Sequence, residues 1–174
     1  DPRIFTAAAL EAVQAGKFDR RHGRNIGTYV KGATRLLEVG AGIGFIVIRA
    51  ALSVPGLYVL AQQERAALID TGRVIVAGQF PDLGDRVQFA DGAPGLDRLL
   101  SDWKPDTLRL SPDALPMEGL TEAVLSGVYR LILPYNDPSE AEALRARLLP
   151  VLEPIGFRAD LKAEENGSVM LRRD

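Results

Sequence analysis

The chain has no cysteine, one histidine, one tryptophan and only 6% aromatic residues in 174. Without cysteine, disulfides, thiolate metal sites and cysteine nucleophiles are excluded together. The absence fits a reducing cytoplasm, where we expect the protein to reside. With His22 as the sole histidine, no dedicated zinc site and no resident metal are expected. A dominant charge is lacking too. The chain carries 21 basic and 23 acidic residues and a net charge of -2, which leaves no electrostatic footprint for nucleic acid. The apolar run Phe45 to Leu52 is far too short to span a bilayer, and Arg49 interrupts it, so no membrane partner is expected. Asp1-Pro2-Arg3 lacks both the basic-then-apolar order of a signal peptide and an initiator methionine. The chain therefore reads as trimmed or as part of a longer polypeptide.

What is present suits one domain spanning 1–174, with a helical segment at 1–32 and an α/β core at 33–174. Hydrophobic residues make up 47% and charged residues 25%, which argues against disorder. No internal repeat, low-complexity segment or linker interrupts the chain.

The most informative stretch is Glu38-Val39-Gly40-Ala41-Gly42-Ile43-Gly44. An apolar run leads into an acidic residue and three alternating glycines, the pattern of a strand that ends in a cofactor loop. Glycine permits positive φ in a tight strand-to-helix turn and leaves room for close approach of a ligand. A helix beginning near Phe45 would point its first N–H groups at that ligand. A dinucleotide fingerprint would need glycine where Phe45 stands, and no Gly-Lys-Ser/Thr P-loop occurs. The loop carries a carboxylate and no lysine or arginine, which suits a cationic or zwitterionic ligand better than a pyrophosphate.

Around this loop the periodicity predicts a helix from Ile4 to Val13 stopped by Gly16, and a second helix within 18–32. Strands follow at 35–39, 57–61, 86–90, 107–110 and 128–133. Helices fall at about 44–53, 96–103 and 139–152, the last with Ser139 as its cap. Glu64 to Phe80 reads as one imperfect helix, with Gly72 as a potential break, and Glu122 to Leu125 as a helical turn. Phe157 to Ala163 and Ser168 to Arg172 alternate around Asn166-Gly167, a hairpin signal.

The loop sequence resembles the class I S-adenosylmethionine-dependent methyltransferases, most closely the FkbM-type branch, whose usual form is Asp-Val-Gly-Ala-Asn-Ile-Gly-Tyr. Gly42 stands where that branch has asparagine. The resemblance implies a Rossmann-like methyltransferase fold with a mostly parallel seven-stranded sheet in the order 3-2-1-4-5-7-6 and a terminal antiparallel hairpin. It also implies S-adenosylmethionine as cofactor, with Gly40, Ala41, Gly42 and Gly44 around its methionine part and Glu38 near its amino group.

The strand ends beyond the loop match less well. After the second strand, Gln63 falls at the family's ribose-binding glutamate and Glu64 at the following proline. A glutamine bonds hydroxyls more weakly than a carboxylate does; Glu64 substitutes if the turn shifts by one residue, and the alternative is two solvated residues at a helix start. After the third strand, Asp91-Gly92-Ala93 lies where the family places adenine, or is an ordinary Asp-Gly turn. In the fourth, Arg109 keeps the family's basic character, but Ser111 replaces its aspartate, and Pro112, Asp113 and Ala114 depart from Val-Glu-Gly. Ser111 supplies neither a base nor a metal ligand. His22, in Arg20-Arg21-His22-Gly23-Arg24, is either a base or carboxylate-binding group beside the pocket or part of a solvated basic face. Tyr135 and Asn136 would face the substrate side and carry no assigned role.

The expected function is methyl transfer to a hydroxyl of a small molecule or sugar. The alternative is a catalytically degenerate methyltransferase-fold domain serving in binding or structure, which Gln63 and Ser111 favour. A nucleotide- or NAD-binding protein is the weaker third. The partner is a small-molecule substrate, with the general base, the acceptor and the oligomeric state left open.

Overall fold

The computed structural model describes residues 5–15, 17, 18, 20–92, 94–111, 120–161 and 167–173. Seven strands form one sheet: β1 (Arg35–Val39), β2 (Tyr58–Gln62), β3 (Val87–Ala90), β4 (Thr107–Leu110), β5 (Arg130–Pro134), β6 (Arg158–Ala159) and β7 (Ser168–Arg172). Their order is β3-β2-β1-β4-β5-β7-β6. The first five are parallel, and β7 runs antiparallel to both β5 and β6. This is the α/β sheet expected from the sequence.

The central strand shows why both faces must be covered. Leu36 and Leu37 are each 0% exposed although they point to opposite sides. Leu36 belongs to the core beneath α2 (Arg20–Tyr29) and α3 (Phe45–Ser53), and Leu37 to the core shared with α5 (Leu96–Trp103) and α6 (Pro138–Leu152). Burying each leucine fully stabilises the fold by about 1.5–3 kcal/mol. The amino ends of β1 and β4 are tied by Asp106, whose Oδ2 accepts from Thr34 N and Oγ1, both at 2.6 Å, and from Arg35 N at 3.1 Å. Arg35 also donates to the Trp103 carbonyl at 2.7 Å, and its guanidinium lies 5.0 Å from the Trp103 ring centre.

The element boundaries depart from expectation in a few places. The first helix is α1 (Ala7–Gln14), and its expected stop, Gly16, lies outside the described residues. The helix after β2 is α4 (Ala66–Gln79), which runs unbroken through Gly72. That glycine serves packing: a Cβ there would lie 2.5 Å from the Phe89 ring and 2.7 Å from the Ile43 carbonyl oxygen. Residues 122–127 form a turn, and the fifth strand begins at Arg130, later than expected. Asp137, not Ser139, caps α6, accepting from Ser139 N at 2.9 Å and Glu140 N at 3.2 Å, with Pro138 opening the helix. The hairpin is narrower than predicted. Among the described residues of 157–163, Arg158 and Ala159 pair with β7 and Asp160 N donates to the Met170 carbonyl at 2.8 Å; Ala163 and Asn166 lie outside the described residues.

Candidate functional site

In an open α/β sheet, ligands bind beyond the carboxyl ends of the strands where the strand order reverses. Here the reversal falls between β1 and β4. A cavity of about 480 Å³ opens there, walled by Glu38, Gly40, Ala41, Gly42 and Ile43 from β1 and its loop, by Arg109 of β4 and by Ser111 just after it. Gly40, Gly42 and Gly44 all have positive φ, at 80°, 58° and 80°. Gly42 faces open space, with nothing within 4 Å of a Cβ built on it.

The other glycines hold the loop in place. The N–H groups of Gly40 and Ala41 both donate to the Gln62 carbonyl at 3.0 Å, which fastens the loop to the end of β2. Gly44 precedes α3 and does not line the cavity. Its Cβ position is 2.8 Å from Phe89, so Gly44 and Gly72 together make the niche that the Phe89 ring fills.

Glu38 and Arg109 are register partners on β1 and β4 and form a buried ion pair, with side chains 1% and 7% exposed. The carboxylate read from the loop thus has a basic partner from outside the loop. The loop itself has no basic residue, but the adjacent strand brings a guanidinium to the same wall. Parallel pairing in register does this, because alternate residues share a face and Glu38 and Arg109 both point to the side opposite Leu37 and Leu108. A buried pair presenting both signs matches a zwitterion, such as an amino-acid group, better than a simple cation.

The candidates at the ends of β2 and β3 lie elsewhere. Gln63 turns back on its own chain, its Oε1 accepting from Glu64 N at 2.8 Å and Arg65 N at 3.5 Å, while Glu64 is exposed. The preceding Gln62 is 4% exposed and donates to the Gly92 carbonyl at 3.1 Å. Asp91 pairs with Arg73 of α4 at 2.9 Å, and Arg73 also donates to the Phe89 carbonyl at 3.0 Å. The hydrogen bond from Arg73 holds the Asp91 carboxyl below its ordinary range. Gly92 is open and at φ 77°; Ala93 lies outside the described residues, as do Pro112, Asp113 and Ala114. Gln63, Glu64, Asp91 and Gly92 are not among the cavity's lining residues.

The structure also brings to the cavity residues that the sequence left unassigned or outside the site. Tyr135 and Asn136 line it beyond β5, as do Glu140 and Arg147 from α6. Those last two are seven residues apart, two turns along one helical face, so the signal existed but needed the topology to place it. Phe18 and His22 close the opposite wall. His22 Nε2 lies 3.2 Å from the Tyr135 carbonyl oxygen, which can only accept, so the bond places a proton on Nε2. His22 thus belongs to the cavity, not to a merely solvated face. Among the described residues no cluster of His, Asp or Glu could hold a metal, and no helix is long and apolar enough to cross a membrane.

No protein-family model matches the chain, and no curated protein matches its sequence. Solved structures do match its shape. A putative caffeoyl-CoA O-methyltransferase from Staphylococcus aureus superimposes with a TM-score of 0.69 at 10% identity, covering 96% of this chain and 91% of that one. An O-methyltransferase from Bacillus cereus, solved in complex with SAH, gives 0.63 at 16% identity, covering 94% and 87%. A methyltransferase from Geobacter sulfurreducens gives 0.63 at 18%, covering 99% and 88%. The chain has a class I methyltransferase fold. Within that fold the cavity occupies the turn after β1 together with the ends of β4 and β5. At these identities the likeness establishes architecture, and the chemistry has to be argued from the site.

Proposed function

We propose that the protein is an S-adenosylmethionine-dependent methyltransferase acting on a hydroxyl of a small molecule, with an FkbM-like cofactor loop. The observation that carries this reading is the open glycine turn at Gly42, set at the β1/β4 reversal beside the buried Glu38–Arg109 pair. The matching methyltransferase structures, one of them an SAH complex, support it.

The residues fit the methionine end of such a cofactor. Gly40, Ala41 and Gly42 leave space for it, Glu38 would attract its ammonium, and Arg109 its carboxylate, with Ser111 at the cavity wall. When bound, S-adenosylmethionine supplies an electrophilic methyl group on sulfur. The chain's part is to hold an acceptor oxygen in line and keep water out, which is work that positioning can do with few catalytic side chains. At the ribose and adenine ends, Gln63, Glu64, Asp91 and Gly92 are the residues within reach of the corresponding strand ends, yet Gln63 and Asp91 are engaged by their own turn and by Arg73. This engagement favours a second reading, a methyltransferase-fold domain that no longer uses the cofactor.

Calorimetric titration with S-adenosylmethionine and S-adenosylhomocysteine separates the two. The methyltransferase reading expects binding of both, weakened at least about tenfold by Gly42→Trp, which fills the open turn. No measurable heat at millimolar ligand overturns that reading and leaves the second.

A further inference from the structure

We propose a second binding site, for the phosphate group of an anionic small molecule, in the cleft between α2 and α3. This cleft, of about 270 Å³, is lined by Arg20, Arg24 and Arg49 together with Phe18, Gly23 and Phe45. The packing that creates it begins with two glycines. A Cβ at Gly23 would lie 3.0 Å from the Phe45 ring, and one at Gly27 would lie 2.8 Å from Ser53 Cβ. Glycines one helical turn apart let α2 settle closely on α3. Arg20 and Arg24, also one turn apart, are thereby carried alongside Arg49.

Two independent observations make this more than a solvated charge run. None of the three guanidinium groups has an ion pair or side-chain hydrogen bond among the described residues, although the arginines line one small cleft. All three are exposed, so water and salt screen their mutual repulsion, and an anion that joins them would remove what remains of it. Arg20 and Arg24 also occupy the first two turns of α2, whose first turn contains no acidic residue. Cations there oppose the helix dipole, and a bound anion at that end is favourable. Arginine suits a phosphate in particular, because its planar fork donates two parallel hydrogen bonds to adjacent oxygens.

Phe18 and Phe45 line both this cleft and the larger cavity. Their rings meet edge to face with centroids 5.8 Å apart. A molecule anchored by its phosphate on the arginines would pass these rings to present its other end to the cavity. That this molecule is the methyl acceptor rests on the proposed function; the anion site itself does not.

The test titrates the whole chain with inorganic pyrophosphate, followed by amide chemical shifts. We expect saturable shifts confined to α2 and the amino-terminal half of α3. Arg24→Ala and Arg49→Ala should each weaken binding at least about tenfold, while Arg24→Lys retains part of it and Arg98→Ala, on α5, changes nothing. No saturable shift, or an affinity unchanged by both alanine variants, overturns the proposal. S-adenosylmethionine calorimetry on the same variants keeps the two readings apart. Loss of pyrophosphate binding with cofactor binding intact isolates the anion site, and a protein that binds pyrophosphate without the cofactor defeats only the methyltransferase reading.

Discussion

The two sides of the sheet's carboxyl edge are built differently. On the β1/β4 side the polar groups are buried and converge on a cavity, with Glu38 against Arg109 and the glycine turn held to Gln62. On the β2/β3 side, apart from the buried Gln62, the polar groups are engaged near the surface, Gln63 by its neighbours' N–H groups and Asp91 by Arg73 of α4. The contrast separates commitment from availability. A buried pair must be compensated whether or not ligand is bound, whereas an exposed pair exchanges partners at little cost.

Breaking the buried side should have the largest effect. Arg109→Ala leaves Glu38 buried without its guanidinium and should lower stability by about 3–5 kcal/mol. A combined Glu38→Gln and Arg109→Met change should recover much of that, and urea denaturation measures both. Next comes the niche that links the two sides. Gly72→Ala would raise helix propensity on an exposed helix, but here its methyl meets Phe89 and the Ile43 carbonyl. We expect a net loss of about 1–3 kcal/mol from overpacking, with thermal melting as the check. Asp137→Ala, which removes the cap of the cavity-lining α6, should cost about 1 kcal/mol by the same measurement.

The smallest effect belongs to the exposed side. Arg73→Ala should lower the denaturation midpoint only slightly at neutral pH, less than any variant above. The sign with pH follows from the lowered Asp91 pKa. Whatever the pair contributes is fully present above the ordinary Asp value of 3.8 and lost as pH falls through the lower folded value. Stability of the native protein and of Arg73→Ala should therefore converge on acidification below pH 3.8. Divergence there would remove the contrast.

The sheet was legible because its signals are local. Alternating apolar strands, the glycine loop and the late shift to a hairpin pattern each occupy a few consecutive residues. The helix at 66–79 was ambiguous for the same reason in reverse: Gly72 reads as a break until Phe89 and Ile43, neighbours only in space, explain it. Glu38 could be read from the chain, but its pairing with Arg109 depends on two strands 71 residues apart meeting in register. Asp137 and Ser139 are both competent caps in the sequence, and Pro138 at the first helical position decides between them. Gln63 and Asp91 do follow β2 and β3, but the direction of a side chain in a turn is set by its local hydrogen bonds, which spacing does not encode.

Trp103, stacked under Arg35 at the end of α5, gives the two halves an optical difference. It is the sole tryptophan in the chain, its indole N–H has no hydrogen-bond partner among the described residues, and it lines the groove that also contains Asp91. The cavity at Gly42 has no tryptophan in its wall. Emission excited at the indole band therefore watches the groove along α5 and is blind to the cavity at Gly42. A ligand confined to the glycine turn should leave the spectrum still, and one reaching across to the β3 end should move it.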